Sequence, residues 1–282
     1  MNYLHVRAII GEPDPEVRSR AHRALMDLGF AEIHDAPSLA KTHQILRREG
    51  AELLLLNMIA DESDAAALVE QIRAGRLAED PFPIIIALID QTATAQIRRI
   101  ACSGVDDALI TPFPAETLIA KIEGLSNGRK PFIVTFDYIG PERRSAPRPG
   151  MTSARQIEVP NPLAILCGAD GAEGYAASRD RARHRLESER IVRLGAQMEW
   201  LAEKLSDPAV SEADKAAELL NIEWVGKELI GRLGASNQEY LLRQLIAQAQ
   251  KIRKSEQALS PATLEKFHQA TKFVVGSLPP AE

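Results

Sequence analysis

The chain has 282 residues, 45% apolar and 26% charged, with a formal net charge of −5; it can hold one ordinary core and a second region of similar size, and is too apolar for wholesale disorder. An aromatic content of 5% and the negative balance count against a base-stacking platform and against general attraction to phosphate backbones. The two cysteines, Cys102 and Cys167, lack zinc spacing and fit a reducing compartment, no leader or membrane-length apolar run is seen, and a cytoplasmic protein without a membrane span is expected.

Val6 to Ile10 reads as a short apolar strand ended by Gly11-Glu12-Pro13-Asp14-Pro15. Pro15 suits the first turn of a helix and Asp14 can cap it, which predicts a helix over Pro15 to Leu28, stopped by Gly29. A strand (Glu32 to Asp35) and a helix (Ser38 to Glu49) follow. Glu52 to Met58 and Ile84 to Ile89 are uninterrupted apolar runs, as expected of central strands covered on both faces. Helical patterns accompany them at Asp64 to Ala74 and Thr92 to Ser103. From Ser103 to Ile122 a helix end closes on Gly104, the acidic pair Asp106-Asp107 leads into the strand Ala108-Leu109-Ile110, and Thr111-Pro112-Phe113 turns into a last helix carrying Leu118 and Ile122. This alternation predicts an α/β fold with a doubly wound parallel sheet. Ligands of such sheets sit beyond the carboxyl ends of the strands, which picks out Glu12, Pro13, Asn57, Leu88 and Thr111.

The stretch Gly104-Val-Asp-Asp-Ala-Leu-Ile-Thr-Pro-Phe113 resembles the last strand and helix of a bacterial two-component receiver domain, where a Gly-Ala-Asp-Asp run is followed by Lys-Pro-Phe. The segments from about Tyr3 to Leu125 agree with receivers in order and spacing. The resemblance implies five strands in the order 2-1-3-4-5 and a switch in which an aspartate ending the third strand accepts a phosphoryl group. Asn57 stands at that position, and an amide is neither a usable nucleophile nor a charged metal ligand. The acidic pair that would hold the metal is Glu12-Pro13, and Asp14 restores a second carboxylate only in a slipped register. Leu88 replaces the hydroxyl of the fourth strand and Thr111 the lysine of the fifth, removing a hydrogen-bond donor and a cation. Four switch positions changed together imply a pseudo-receiver without aspartyl phosphorylation, with no cofactor and with weak or absent Mg²⁺ binding. Asp61, Asp64 and Asp90 lie nearby and are read as helix caps and a solvated loop end. The resemblance also implies a docking surface for other signalling proteins between Thr92 and Glu123.

Residues 126–178 read as an extended, proline-broken connector. Within it Phe132-Ile-Val-Thr-Phe-Asp-Tyr-Ile-Gly-Pro-Glu-Arg-Arg144 is too apolar for a simple linker, and its alternating aromatics suit a strand laid along a protein surface. It resembles a Tyr-Ile-Gly-Pro-Asp-Arg-Arg segment that follows receiver-like domains in some alphaproteobacterial signalling proteins. Arg144 and Arg148 have the RxxxR spacing of a family of cyclic dinucleotide binders, without the barrel strands of that family, so a solvated basic linker is favoured.

Residues 179–278 predict an all-α region with helices over Arg179 to Leu205, Glu212 to Leu233, Asn237 to Lys254 and Pro261 to Val275. Their apolar stripes require burial against one another or against another chain, as in a homodimer or a docked partner. The arginines from Arg179 to Arg193 read as a charged helix face, and His184 as an ordinary exposed histidine. No motif of an output enzyme or of a DNA-reading helix is present. Sequence alone therefore points to a non-catalytic two-component protein: a receiver-like domain (1–125), a connector and a helical module. A DNA-binding response regulator and a cyclic dinucleotide effector are the alternatives.

Overall fold

The computed structural model describes residues 3–59, 64–90, 96–143, 154–167, 171–207, 209–255 and 260–280. They fall into two compact units, Met1–Arg183 and His184–Glu282.

The first unit is built on five parallel strands: β1 (Arg7–Gly11), β2 (Glu32–Ala36), β3 (Leu53–Asn57), β4 (Ile84–Asp90) and β5 (Asp107–Thr111), in the order β2-β1-β3-β4-β5. The leucine and isoleucine runs explain the three-layer build, because successive strand residues point to opposite faces. Leu53, Leu55, Ile84, Ile86 and Leu88 pack with Ala21, Ala24 and Leu25 of α1 (Pro15–Asp27) and with Leu118 and Ile122 of α5 (Ala115–Asn127). Leu54, Leu56, Ile85 and Ala87 pack with Ile45 and Leu46 of α2 (Leu39–Glu49), with Leu68, Val69 and Ile72 of α3 (Ala65–Arg73), and with Ile100 of α4 (Ile97–Cys102). Asp14 caps α1 as its position before Pro15 predicts, accepting from the amides of Glu16 and Val17.

The described residues of the expected extended connector fold onto this unit, and the stretch from Phe132 includes strands, as its alternating aromatics suggest. β6 (Phe132–Val134), β7 (Ile139–Pro141) and β8 (Gln156–Ile157) make a small antiparallel sheet in the order β7-β6-β8, followed by the one-turn helix α6 (Pro162–Ile165). Phe132, Val134 and Leu163 are fully buried. The polar and proline content of the segment hid this, since only a few apolar side chains anchor it. The next helix, α7 (Gly171–Leu205), starts eight residues before the predicted Arg179, and its Tyr175 joins the α1–α5 core.

The second unit takes the end of α7 together with α8 (Glu212–Leu233), α9 (Asn237–Arg253) and α10 (Pro261–Gly276). Leu194, Met198, Leu201, Ile222, Leu229, Leu242, Leu245 and Phe267 form one core. Gly226 lets α8 and α9 approach: a Cβ there would stand 2.8 Å from Ile246. Among the described residues no helix is long and apolar enough to cross a membrane.

Candidate functional site

The predicted site residues meet at the carboxyl edge of the sheet. β1 delivers Glu12, which is buried, and β3 delivers Asn57, which is half-buried. The Asn57 amide donates to both Glu12 carboxylate oxygens, at 3.1 and 2.9 Å, and its Oδ1 accepts from the Ile59 amide at 2.9 Å. Glu12 Oε1 also accepts from the Asp14 amide at 2.9 Å. Arg18 donates to the carbonyls of Glu12 and Pro13 at 2.6 and 3.0 Å, which fixes the turn after β1. The amide at position 57 thus acts as a crosslink between β1 and β3 with donors and acceptor engaged.

The rest of the edge offers little chemistry. Leu88 is fully buried within the α1–α5 core and pairs with Asn57 in the β3–β4 register. Thr111 ends β5, donates from its hydroxyl to the Ile89 carbonyl at 3.3 Å, and precedes Pro112 through a cis peptide bond. Asp64 caps α3 through the Ala67 amide at 3.0 Å and pairs with Arg99 of α4, as its reading as a cap predicts. Asp90 ends β4, half-buried. Asp61, Arg144 and Arg148 lie outside the described residues.

A Mg²⁺ site needs near-octahedral oxygen ligands, usually including more than one carboxylate or a carboxylate and a phosphate. Here β1 supplies a single carboxylate already holding two donors, Pro13 supplies no side-chain ligand, and Asp14 is turned onto α1. The residues present do not fit the metal. A separate histidine and two carboxylates converge at the exposed edge of β2, with His34 Nε2 3.3 Å from Glu32 and 3.0 Å from Glu49, and share no residue with this pocket.

A second cluster at the opposite, amino edge escapes sequence reading. Asp106, immediately before β5, accepts from Arg73 Nη2 at 2.7 Å, Arg129 Nε at 3.0 Å and the Ile85 amide at 2.9 Å. Arg73 also donates to the carbonyls of Gly104, Pro81 and Pro83, and Arg129 to those of Phe82 and Pro160. Both guanidinium groups lie over the Phe132 ring, 5.0 and 4.8 Å from its centroid. Burial pulls the Arg73 guanidinium down to about 10, with Asp106 opposing the shift. Gly140 of β7 sits against Gly104, where a Cβ would stand 2.7 Å from the other glycine's Cα. Tyr138 donates to the Pro141 carbonyl at 2.7 Å, and Arg143 reaches the Val105 carbonyl. The Tyr-Ile-Gly-Pro-Glu-Arg stretch is therefore a clamp on the turn between α4 and β5. Its signal in the sequence was the pairing of glycine with aromatic and arginine neighbours, whose target could not be read.

Five parallel strands in the order 2-1-3-4-5, flanked by helices on both faces and with the candidate pocket at the carboxyl edge, are now in place. Residues 3–125 have the receiver fold of response regulators. Solved structures similar to this chain include the receiver domain of AraT, a response regulator from Geobacillus stearothermophilus, at 13% identity and a TM-score of 0.38, covering 42% of this chain and 91% of that one. A response regulator from Thermotoga maritima matches at 19% identity and a TM-score of 0.36, over 42% of this chain and 95% of its own. The receiver domain of a DNA-binding response regulator from Colwellia psychrerythraea 34H matches at 18% identity and a TM-score of 0.39, over 44% and 99%. No protein-family model matches the sequence, and no curated protein matches it.

Proposed function

We propose that this chain is a non-catalytic signalling protein of two-component type, in which a pseudo-receiver presents a fixed protein-binding surface and the helical unit serves for self-association or partner docking. The observation that carries this reading is the Asn57–Glu12 crosslink: the position that would accept a phosphoryl group is a neutral amide whose hydrogen-bonding atoms are engaged. Thr111 in place of a cation and the buried, apolar Leu88 agree with it. A partner surface between Thr92 and Glu123 is supported by Ile97 of α4 and Ile110 of β5, two large apolar side chains left exposed there. Such a surface needs no phosphate when the partner selects a conformation already populated.

Incubation with acetyl phosphate and Mg²⁺ followed by intact mass measurement tests the reading. The mass is expected to stay unchanged; a stable phosphoryl adduct on Asp14, Asp61 or Asp64 overturns it. A second reading, nucleic-acid binding, draws on the exposed Arg181, Arg183 and Arg185 of α7. In the same helix Arg179, Arg190 and Arg193 are committed to Asp180, Glu228 and Glu189. Salt-dependent retention of duplex DNA by the whole protein would favour that second reading.

A further inference from the structure

The chain has two tryptophans, and both are more than half exposed: Trp200 of α7 at 54% and Trp224 of α8 at 53%, with Leu220 of α8 at 50%. Large apolar side chains exposed singly are ordinary, but these three share one face of the helical unit. The ion pairs Lys204–Glu218, Arg190–Glu228 and Arg232–Glu187 set α7 and α8 antiparallel. That register puts Trp200 level with Leu220, and Trp224 one turn further along α8. At about 100° per residue, Trp200 points away from the buried Met198 and Ala202, as Leu220 and Trp224 point away from the buried Ile222 and Leu229. The outward stripe of α8 continues through the exposed Ala213, Ala217, Lys227 and Gly231, and Lys227 is its one charge.

The order of side chains along that stripe is self-complementary. A two-fold axis crossing α8 at the level of Ile222, with the helices antiparallel, sets Leu220 against Trp224 of a second copy, Ala213 against Gly231, and Ala217 against the Lys227 stem. Large meets large at the centre and small meets small at the ends, as an isologous contact requires. Gly231 leaves open space on this face, since a Cβ there would touch nothing within 4 Å. The size also suits a second copy. α8 has 22 residues, so two such helices side by side present a surface about 33 by 20 Å, on the order of 650 Å² per partner, a little below the roughly 800 Å² of a standard stable interface. Half-exposed tryptophans near its centre are the side chains that most often dominate association energies.

We infer that the outer face of α7 and α8 in the helical unit is a homodimer interface, centred on Trp200, Leu220 and Trp224 and strong enough for micromolar self-association. This rests on the reading of the helical unit as an association module and gives it a partner, a second copy of the chain.

Sedimentation velocity on the full chain across the micromolar range tests it, with tryptophan fluorescence as a second readout because both tryptophans lie in the patch. A concentration-dependent dimer is expected, with emission shifting to the blue as it forms. Trp224→Glu is expected to weaken dimerisation at least tenfold, and Leu220→Gln is the milder companion should Trp224→Glu disturb the helical circular dichroism. A chain that stays monomeric at every concentration overturns the inference, whether or not another protein binds the patch. So does a dimer whose affinity is unchanged by folded Trp224→Glu and by folded Leu220→Gln. Neither result touches the inert pocket, which the phosphoryl-transfer measurement judges separately.

Discussion

At the carboxyl edge of the receiver sheet a buried carboxylate, Glu12, is held by the neutral amide of Asn57, whereas at the amino edge the buried carboxylate of Asp106 is held by two guanidinium groups. An amide–carboxylate crosslink contributes on the order of 1.5–3 kcal/mol, since its hydrogen bonds replace those to water and only one partner is charged. A buried ion network adds less than its contacts suggest while intact, yet becomes very costly when one member is removed. In this molecule the edge that would carry signalling chemistry is thus held by a carboxylate bonded to neutral amides. The edge remote from it is where charge is locked in place, and it is also where residues 129–143 attach.

The sharpest way to break this contrast is Asp106→Ala, which leaves two buried guanidinium groups facing each other beside Phe132. A loss of about 3–5 kcal/mol is expected in denaturant unfolding; a loss comparable with that of a surface substitution would show that the network is not held as described. The converse change, Asn57→Asp, places a second carboxylate about 3 Å from Glu12, and a cost of about 2 kcal/mol is expected. Because Leu88 and Thr111 remain, that variant should still take up no phosphate by intact mass. Uptake would mean that position 57 alone had silenced the site.

Smaller again is a pH effect at the amino edge. Tyr175 donates to Asp80 at 2.5 Å, and burial, reinforced by that carboxylate, pushes its phenol well above the ordinary range. A folded-state pKa raised above the unfolded value contributes stability that is complete below about pH 10 and is lost as the unfolded tyrosine ionises, amounting to about 1.4 kcal/mol by pH 11. Tyr175→Phe should lose less stability than the wild type between pH 9 and 11. Equal losses would remove Tyr175 from the account.

Much of the carboxyl edge is legible in the sequence because strand ends are marked by local events: an apolar run stopping at Asn57, a proline after Glu12, a threonine-proline after Ile110. What those residues do to each other is not local. Asn57 and Glu12 are 45 positions apart, and nothing in either segment announces that the amide spans both carboxylate oxygens. The amino edge was closed to the same reasoning for a physical cause. An arginine in the last turn of a helix, such as Arg73, normally favours the helix terminus from solvent, and its burial is made tolerable by Asp106, Arg129 and Phe132, which come from later in the chain. The helices of the second unit were readable almost to the residue, since capping serines and apolar periodicity are local signals. Which outward face meets another molecule needed the helix register fixed by ion pairs.

The close seating of Gly140 on Gly104 has a practical side. A fragment trimmed at Leu125, where the receiver-like segment ends on the reading of the sequence, would lack Arg129, Phe132 and the glycine that covers the turn before β5. It would strip the aromatic lid from Arg73 and halve the cations around Asp106, and such a fragment should be soft where the whole chain is firm. Shortened versions of this protein should be cut no earlier than the end of its first compact unit, at Arg183.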